Sequence, residues 1–352
     1  MGAANPPGAS PGGPVDGGRR PEGEHGPLSE PAPGERVETA LRAAQRYYLQ
    51  GSTMGAIAKE LGTSRSTVSR LLSYAREAGL VEIRVHRPAS RVAEAEQRIR
   101  ERYRVRAHVV RVPATASNVE RLELTAIQAA RVINSVFDSD MVIGLSWGTM
   151  VNAISHCLIP KPVHNCQIVQ LNGAGNSRVT GTHYSHQMFS AFGTAFDAVV
   201  RQLPTPLFFD SADTKRALFA ERAVRGVTEL QLAADAALFS VGTVTDGVPS
   251  SPYLAGYFLD DSDFASLARD RAVGDIATVF LRADGSHHGI RLNERTSGPD
   301  LDRLREVDHR ICAVSGDHKI PALVAALEGG YVSHLVLDER TARLLIAALE
   351  HR

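Results

Sequence analysis

A chain of 352 residues with 39 basic and 39 acidic side chains is formally neutral, so any affinity for nucleic acid must be local and not a property of the whole molecule. Hydrophobic residues at 43% and charged residues at 22% describe a globular protein, long enough for one core of ordinary size and one small one. No apolar run approaches the roughly 20 residues that span a bilayer, no signal pattern opens the chain, and the odd number of cysteines (Cys157, Cys166, Cys312) argues against a disulfide framework. A cytoplasmic protein with reduced thiols and no membrane partner is expected.

Residues 1–34 are dominated by Gly, Pro, Ala and Ser and lack the apolar groups needed to offset the entropy of ordering them, so they read as a disordered leader. Residues 35–88 read as a helix-turn-helix domain. A support helix runs from Arg36 to Leu49. Met54 to Leu61 forms a short helix closed by Gly62. A second helix, capped by Thr63 or Ser64, runs to about Ala78 with Val68, Leu71, Leu72 and Ala75 at 3.6-residue spacing. That apolar stripe faces the small core, which leaves Thr63, Ser64, Arg65, Ser66, Thr67, Ser69 and Arg70 to meet DNA. Arginine can donate two parallel hydrogen bonds to guanine, and short hydroxyls reach base edges or phosphates. The competing reading is a helical hairpin with a solvated polar face. Charge favours the DNA reading: from Arg36 to Pro88 nine basic residues stand against four acidic, a local balance of +5.

Leu80 to Val85 alternates like a short strand or wing. Residues 89–104 form a charged linker helix whose thin stripe of Val92, Ala95 and Ile99 suits a role in association.

Residues 105–352 repeat strand, loop and helix: strands at AHVVRV, MVIGL, QIVQLNG, DAVVRQL, AALFSVGTV, DIATVFL, ICAVSG and SHLVLD, with helices between them, a single one near Thr214 to Arg225 among them. Such alternation calls for a doubly wound, mostly parallel α/β domain, whose ligands sit at the carboxyl ends of the strands. The loop Gly144-Leu145-Ser146-Trp147-Gly148-Thr149 opens directly into a helix and can cradle an anion through backbone N–H groups and hydroxyls. It is not a Walker loop, and a tight turn without a ligand reads equally well. The loop from Asn172 and Gly173 to Asn176 lacks the third glycine of a dinucleotide fingerprint, so no nucleotide cofactor is expected; Arg178, His183 and Gln187 beyond it can reach polar groups. Asp275 is suited to accept from sugar hydroxyls. Lys319, one of only four lysines and the one beside a strand-end loop, is the best cation for a phosphate. Trp147, the only tryptophan, is either a stacking surface or a packing anchor. His287 and His288, if on a strand, point to opposite faces, and His156, Cys157, His164 and Cys166 lack zinc spacing, so no metal is expected.

Taken together, the reader at Thr53–Gly79 followed in order by VIGLSWGTM, QIVQLNGAGN, SPYLAGYFLD, AVGDIATVF and GDHKIPALVAALEGGYVSHLVLDERTARLL closely resembles the SorC-type, DeoR-like sugar-binding transcriptional regulators. The resemblance runs from about Arg36 to the carboxyl end. It implies an amino-terminal helix-turn-helix and an effector domain similar to sugar-phosphate isomerases that has become a sensor, with double-stranded operator DNA and a carbohydrate or sugar-phosphate effector as partners, in a homodimer or homotetramer. By motif it implies that Ser146, Gly148 and Thr149 hold phosphate, Asp275 meets sugar hydroxyls and Lys319 neutralises the anion. The chain departs from many relatives in reading Gly173-Ala174 for Gly-Gly, and in an individual stretch from Thr180 to Gln187. The rival function is a sugar-phosphate isomerase or deaminase with a DNA-binding appendage, but a paired acidic cluster for a general base is missing; TDGVP offers only Asp246.

Overall fold

The computed structural model describes residues 33–49, 52–81, 91–174, 179–244 and 259–350, and the chain divides into two compact units, Met1–His86 and Arg87–Arg352. Of the elements expected from sequence, nearly all of the leader, most of the wing at Leu80–Val85, and Arg178 and Asp246 lie outside the described residues.

In the smaller unit, α1 (Pro33–Ala44) starts on a proline at its first turn, where the missing N–H costs nothing, and continues into a π-helical turn at Gln45–Leu49. Helices α2 (Met54–Glu60) and α3 (Arg65–Glu77) follow. Ala40, Ala43, Ala44, Ile57, Ala58, Val68, Leu72 and Ala75 bury together; the small side chains let three short helices approach closely. Thr53 caps α2 and Ser64 caps α3, each accepting a backbone N–H three residues on, and Gly62 takes the left-handed conformation (φ 62°) that the sharp turn requires.

The larger unit begins with α4 (Arg91–Tyr103). Its stripe of Ala95 and Ile99 is buried in that unit's own core, so the apolar positions that suggested pairing between copies are used internally. Strands β1 (Arg106–Val110), β2 (Val142–Leu145), β3 (Gln167–Gln170), β4 (Val199–Arg201), β5 (Ala236–Phe239), β9 (His309–Val314) and β10 (His334–Asp338) form a seven-stranded sheet in the order β1-β10-β9-β5-β2-β3-β4, parallel throughout. Crossover helices include α5 (Asn118–Val136), α6 (Thr149–Ser155), α7 (Val179–Ala195), α8 (Ala212–Phe219) and α9 (Arg222–Leu232). Two further core clusters bury the faces of the sheet, as a parallel sheet demands. The chain runs outward from β2 through β3 to β4, then returns to lay β5 on the other side of β2. That reversal leaves a crevice at the carboxyl ends of β2, β5 and β9.

Three expected elements differ. AALFSVGTV is not one strand: it breaks at Ser240 into β5 and β6 (Val241–Gly242), and β6 belongs to a separate antiparallel sheet with β7 (Ala272–Ile276) and β8 (Val279–Arg282). DIATVFL likewise folds into the two arms of a hairpin around Ala277 and Thr278, both at positive φ (46° and 70°). The single helix read near Thr214–Arg225 is two, α8 and α9, separated at Ala220 and Glu221. The chain then adds α10 (Asp261–Arg269), α11 (Leu301–Leu304), α12 (Ile320–Glu328) and α13 (Glu339–Glu350). No helix among the described residues is long and apolar enough to cross a membrane.

An ion-pair network buried at one end of the sheet ties four segments together. Arg121 on α5, only 2% exposed, donates to both oxygens of Asp338 at the end of β10 (3.0 and 3.3 Å), to Asp317 (3.1 Å) and to the Thr341 hydroxyl (3.0 Å). Burial works to raise the Asp338 pKa, but hydrogen bonds from Thr341 and Arg121 outweigh it and hold the carboxyl below its ordinary value. Its contribution is therefore present above the ordinary carboxylate range and is lost as pH falls through the lowered value. Arg121→Ala leaves a buried carboxylate without its counter-charge and is expected to destabilise the larger unit by about 3–5 kcal/mol in denaturant melts. The native protein should lose stability on acidification below about pH 4, and Asp338→Asn should flatten that dependence.

Candidate ligand cavity

The crevice at the strand ends holds a cavity of about 310 Å³, large enough for a sugar phosphate. Four segments build it. After β2 come Ser146, Trp147, Gly148 and the first turn of α6; after β5, Ser240 leads into β6; after β9, Ser315, Gly316, His318 and Lys319; and the hairpin brings Asp275, Ala277 and Thr278. Asn118, Val119 and Leu122 of α5 complete the wall with Asn172. Asp275 reaches it because β7 pairs with β6, with Gly242 opposite Asp275, and β6 directly continues β5.

Of the eleven ligand residues expected from sequence, seven line this cavity: Ser146, Trp147, Gly148, Thr149, Asn172, Asp275 and Lys319. Gly144 is not among them. It lies within β2, where a Cβ would meet Leu171 Cδ2 at 2.7 Å, so its smallness serves packing. Gly173 is also a packing position: its N–H donates to Ser297 Oγ (2.9 Å) and a Cβ would lie 2.4 Å from the Thr205 carbonyl oxygen. Gln187 is exposed on α7 and absent from the cavity wall, and His183 belongs to α7 with its side chain outside the described residues.

Lys319 is the cation of the site. Burial pushes its pKa down while Asp275 opposes the shift, and Nζ donates to the Val241 carbonyl (2.9 Å). Asn172 is 1% exposed, and its Oδ1 has no hydrogen-bond partner among the described residues. A buried acceptor left without a donor is costly unless something else supplies one. Asp275 also accepts from the N–H of Thr278 (2.9 Å), so one carboxylate both closes the hairpin and faces the cavity. Gly316 sits at φ 120°, beyond the reach of ordinary side chains, and its N–H donates to Thr341 Oγ1 (3.1 Å), which joins this wall to the Arg121 network. Trp147 is buried with its indole N–H on the Gly173 carbonyl (2.9 Å), so the ring is a fixed wall and not a lid. Sequence reading missed Asn118, Val119, Leu122, Ser240, Ser315 and Thr278, whose only signal is their position next to strand ends.

In the smaller unit, Ser64, Arg65, Ser66, Ser69 and Arg70 are exposed, while Thr63 and Thr67 are half-buried. The Ser64 hydroxyl is already engaged with Thr67 N (3.1 Å), Ser66 Oγ (2.7 Å) and Thr67 Oγ1 (2.9 Å), which fixes the first turn of α3 and leaves its arginines outward.

His287 and His288 also depart from expectation. They lie in the connection after β8 and not on a strand, so both rings face Asp302: Nε2 of His288 is 2.9 Å and Nε2 of His287 is 3.7 Å from its Oδ2.

A helix-turn-helix followed in sequence by an α/β unit with a strand-end cavity defines a class, regulators that join a DNA reader to a small-molecule sensor. Residues 87–347 match the family model Sugar-bind, described as a sugar-binding domain. The Deoxyribonucleoside regulator of Bacillus subtilis (strain 168) is 36% identical over 314 residues, covering 89% of this chain and 98% of the relative. The Sorbitol operon regulator of Klebsiella pneumoniae is 24% identical over 314 residues, covering 88% and 98%. Among solved structures, a domain of a sugar-binding transcriptional regulator from Arthrobacter aurescens TC1 is 44% identical with a TM-score of 0.69, covering 74% of this chain and 100% of that one. The full-length sorbitol operon regulator SorC from Klebsiella pneumoniae shares the fold at a TM-score of 0.64 over 88% of this chain and 99% of that one. The chain belongs to the SorC-type, DeoR-like family of sugar-binding transcriptional regulators; it is a regulator and not an enzyme.

Gly173→Ala is expected to cost about 1–3 kcal/mol by overpacking against Thr205 and Pro206, measured by thermal melt, because the atoms a Cβ would meet are backbone carbonyl oxygens and not the ends of flexible side chains alone.

Proposed function

We propose that a phosphorylated carbohydrate or polyol binds in the strand-end cavity, with Lys319 neutralising its phosphate. In this reading Ser146, Gly148 and Thr149 surround the anion while Asn172 and Asp275 take sugar hydroxyls. The observation that supports it most is that one cavity gathers an ammonium, a carboxylate and an amide oxygen lacking a donor among the described residues. A cation and two acceptors match a ligand with an anionic end and a hydroxylated body. The Deoxyribonucleoside regulator among the relatives argues for including deoxyribonucleosides and their sugar phosphates among compounds tried.

The effector's binding would alter operator binding by a dimer or tetramer of the chain, by shifting populations of assemblies that set two α3 helices on two half-sites. A 100-fold change in operator affinity needs about 2.7 kcal/mol of differential effector binding, within the reach of a desolvated phosphate contact.

Two outcomes are expected. A thermal-shift screen should find stabilisation by a sugar phosphate, and Lys319→Met should weaken that ligand at least about 10-fold, or 1.4 kcal/mol, with a smaller effect on the unphosphorylated sugar. Equal losses for both would remove Lys319 from the phosphate. Replacing Arg65 and Arg70 with Ala should abolish sequence-selective retardation of duplex DNA without altering the far-UV spectrum, and selectivity retained in that variant would rule out α3 as the reader.

A further inference from the structure

A second cavity, about 500 Å³, lies on the other side of the β7–β8 hairpin turn, lined by Val279 and Thr296 where the first is lined by Ala277 and Thr278. On its wall the donor atoms of His287, His288 and Asp302 all fall within 4.8 Å of one another. The hydrogen bonds behind His287 determine what it presents. Tyr331 Oη lies 3.0 Å from the Gly285 carbonyl, which can only accept, so the phenol proton points there. Toward His287 the same oxygen must therefore accept, which puts the proton of the imidazole on Nδ1, 3.0 Å away. Nε2 is left with a lone pair, and it faces Asp302 Oδ2 at 3.7 Å. His287 is 9% exposed, and its imidazole lone pair confronts an oxygen of the half-exposed Asp302 carboxylate across 3.7 Å. A positive charge belongs in that gap.

The rest of the cluster is organised in the same sense. Asn293 donates to the His287 carbonyl (2.9 Å) and Arg282 to the His288 carbonyl (2.8 Å), so the backbone of both histidines is held. Arg305 engages Asp302 Oδ1 (2.5 Å), and Oδ2 is the oxygen turned to the two rings. The 2.9 and 3.7 Å separations bracket the roughly 3.3 Å between ligand atoms of a tetrahedral zinc ion with bonds of about 2.0–2.1 Å. An imidazole that donates its far N–H to a fixed partner and offers the near nitrogen is the arrangement metal-binding histidines adopt.

We propose that His287, His288 and Asp302 bind a divalent zinc ion, which ties the connection after β8 to α11 and leaves a fourth position open to the second cavity. The ion would replace the His288 proton now shared with Asp302, His288 turning its Nε2 lone pair to the metal while that proton leaves to solvent.

The test is calorimetric titration of ZnCl2 into the full chain after chelator treatment, with native protein, His288→Ala and Asp302→Asn. Both substituted side chains are substantially exposed, so folding should survive, and far-UV spectra and melting would check it. The native chain should take up one equivalent, each variant should bind at least about 10-fold more weakly, and Tyr331→Phe, which leaves the three ligands in place, should cost about 10-fold to 100-fold. Co2+ in place of Zn2+ should give tetrahedral visible absorption in the native chain and lose it in His288→Ala. Failure of the native chain to bind, or uptake unchanged in both ligand variants, would overturn the site.

Discussion

The guanidinium of Arg121 is the contact on which the geometry of the larger unit turns. It is buried against a fully buried carboxylate, Asp338, and through Thr341 and Asp317 it reaches the loop after β9. That loop carries Gly316 and Lys319, while Arg121 itself stands on the turn of α5 whose Asn118 and Leu122 line the cavity. One ion pair thus sets the distance between two walls of the ligand site. Buried ion pairs seldom add much net stability, since desolvation offsets their attraction, and their usual contribution is to fix a geometry that apolar packing would leave loose.

Lys319 illustrates the same balance inside the cavity. Burial disfavours its charged form, Asp275 partly restores it, and the Val241 carbonyl accepts a hydrogen bond from its ammonium. A cation kept in a partly dry pocket at such a cost reads as an element of recognition. Asn172, with its amide oxygen lacking a donor, extends the pattern from charge to hydrogen bonding.

Much of this was legible in the sequence because it depends on local rules. Strand-then-helix alternation, a capping hydroxyl at Thr63 or Ser64, of which Ser64 is the cap, and Gly62 past the first short helix each leave a short-range signature, and the loop after MVIGL was legible as a strand-end turn. What escaped depends on tertiary context. The hairpin at Ala277-Thr278 carries none of the Gly or Asn that positive φ ordinarily selects; Asp275 and the Thr278–Thr296 hydroxyl pair (2.7 Å) hold it instead, so DIATVFL looked like one strand. Arg121 lay in an amphipathic helix like many surface arginines, and its acceptors are about two hundred residues away in sequence. His287 and His288 were set aside on the premise of a strand; the irregular connection after β8 lets neighbouring rings face the same carboxylate, their centroids 4.0 Å apart.

The smaller unit follows from composition as much as from pattern. Alanines at 40, 43, 44, 58 and 75 bring three helices together with few large side chains, and the polar first turns of α3 stay outward. Its stability rests on a thin core, which suits a module whose affinity comes from surface charge.

The most direct measurement uses Trp147, the only tryptophan in the chain and part of the cavity wall. Its emission, followed while pentose and hexose phosphates and deoxyribose phosphate are titrated into the full-length protein, reports on that cavity alone. A saturable change with a phosphorylated sugar, and a far weaker one with the same sugar lacking phosphate, is what the account predicts; emission indifferent to every member of the series would contradict it.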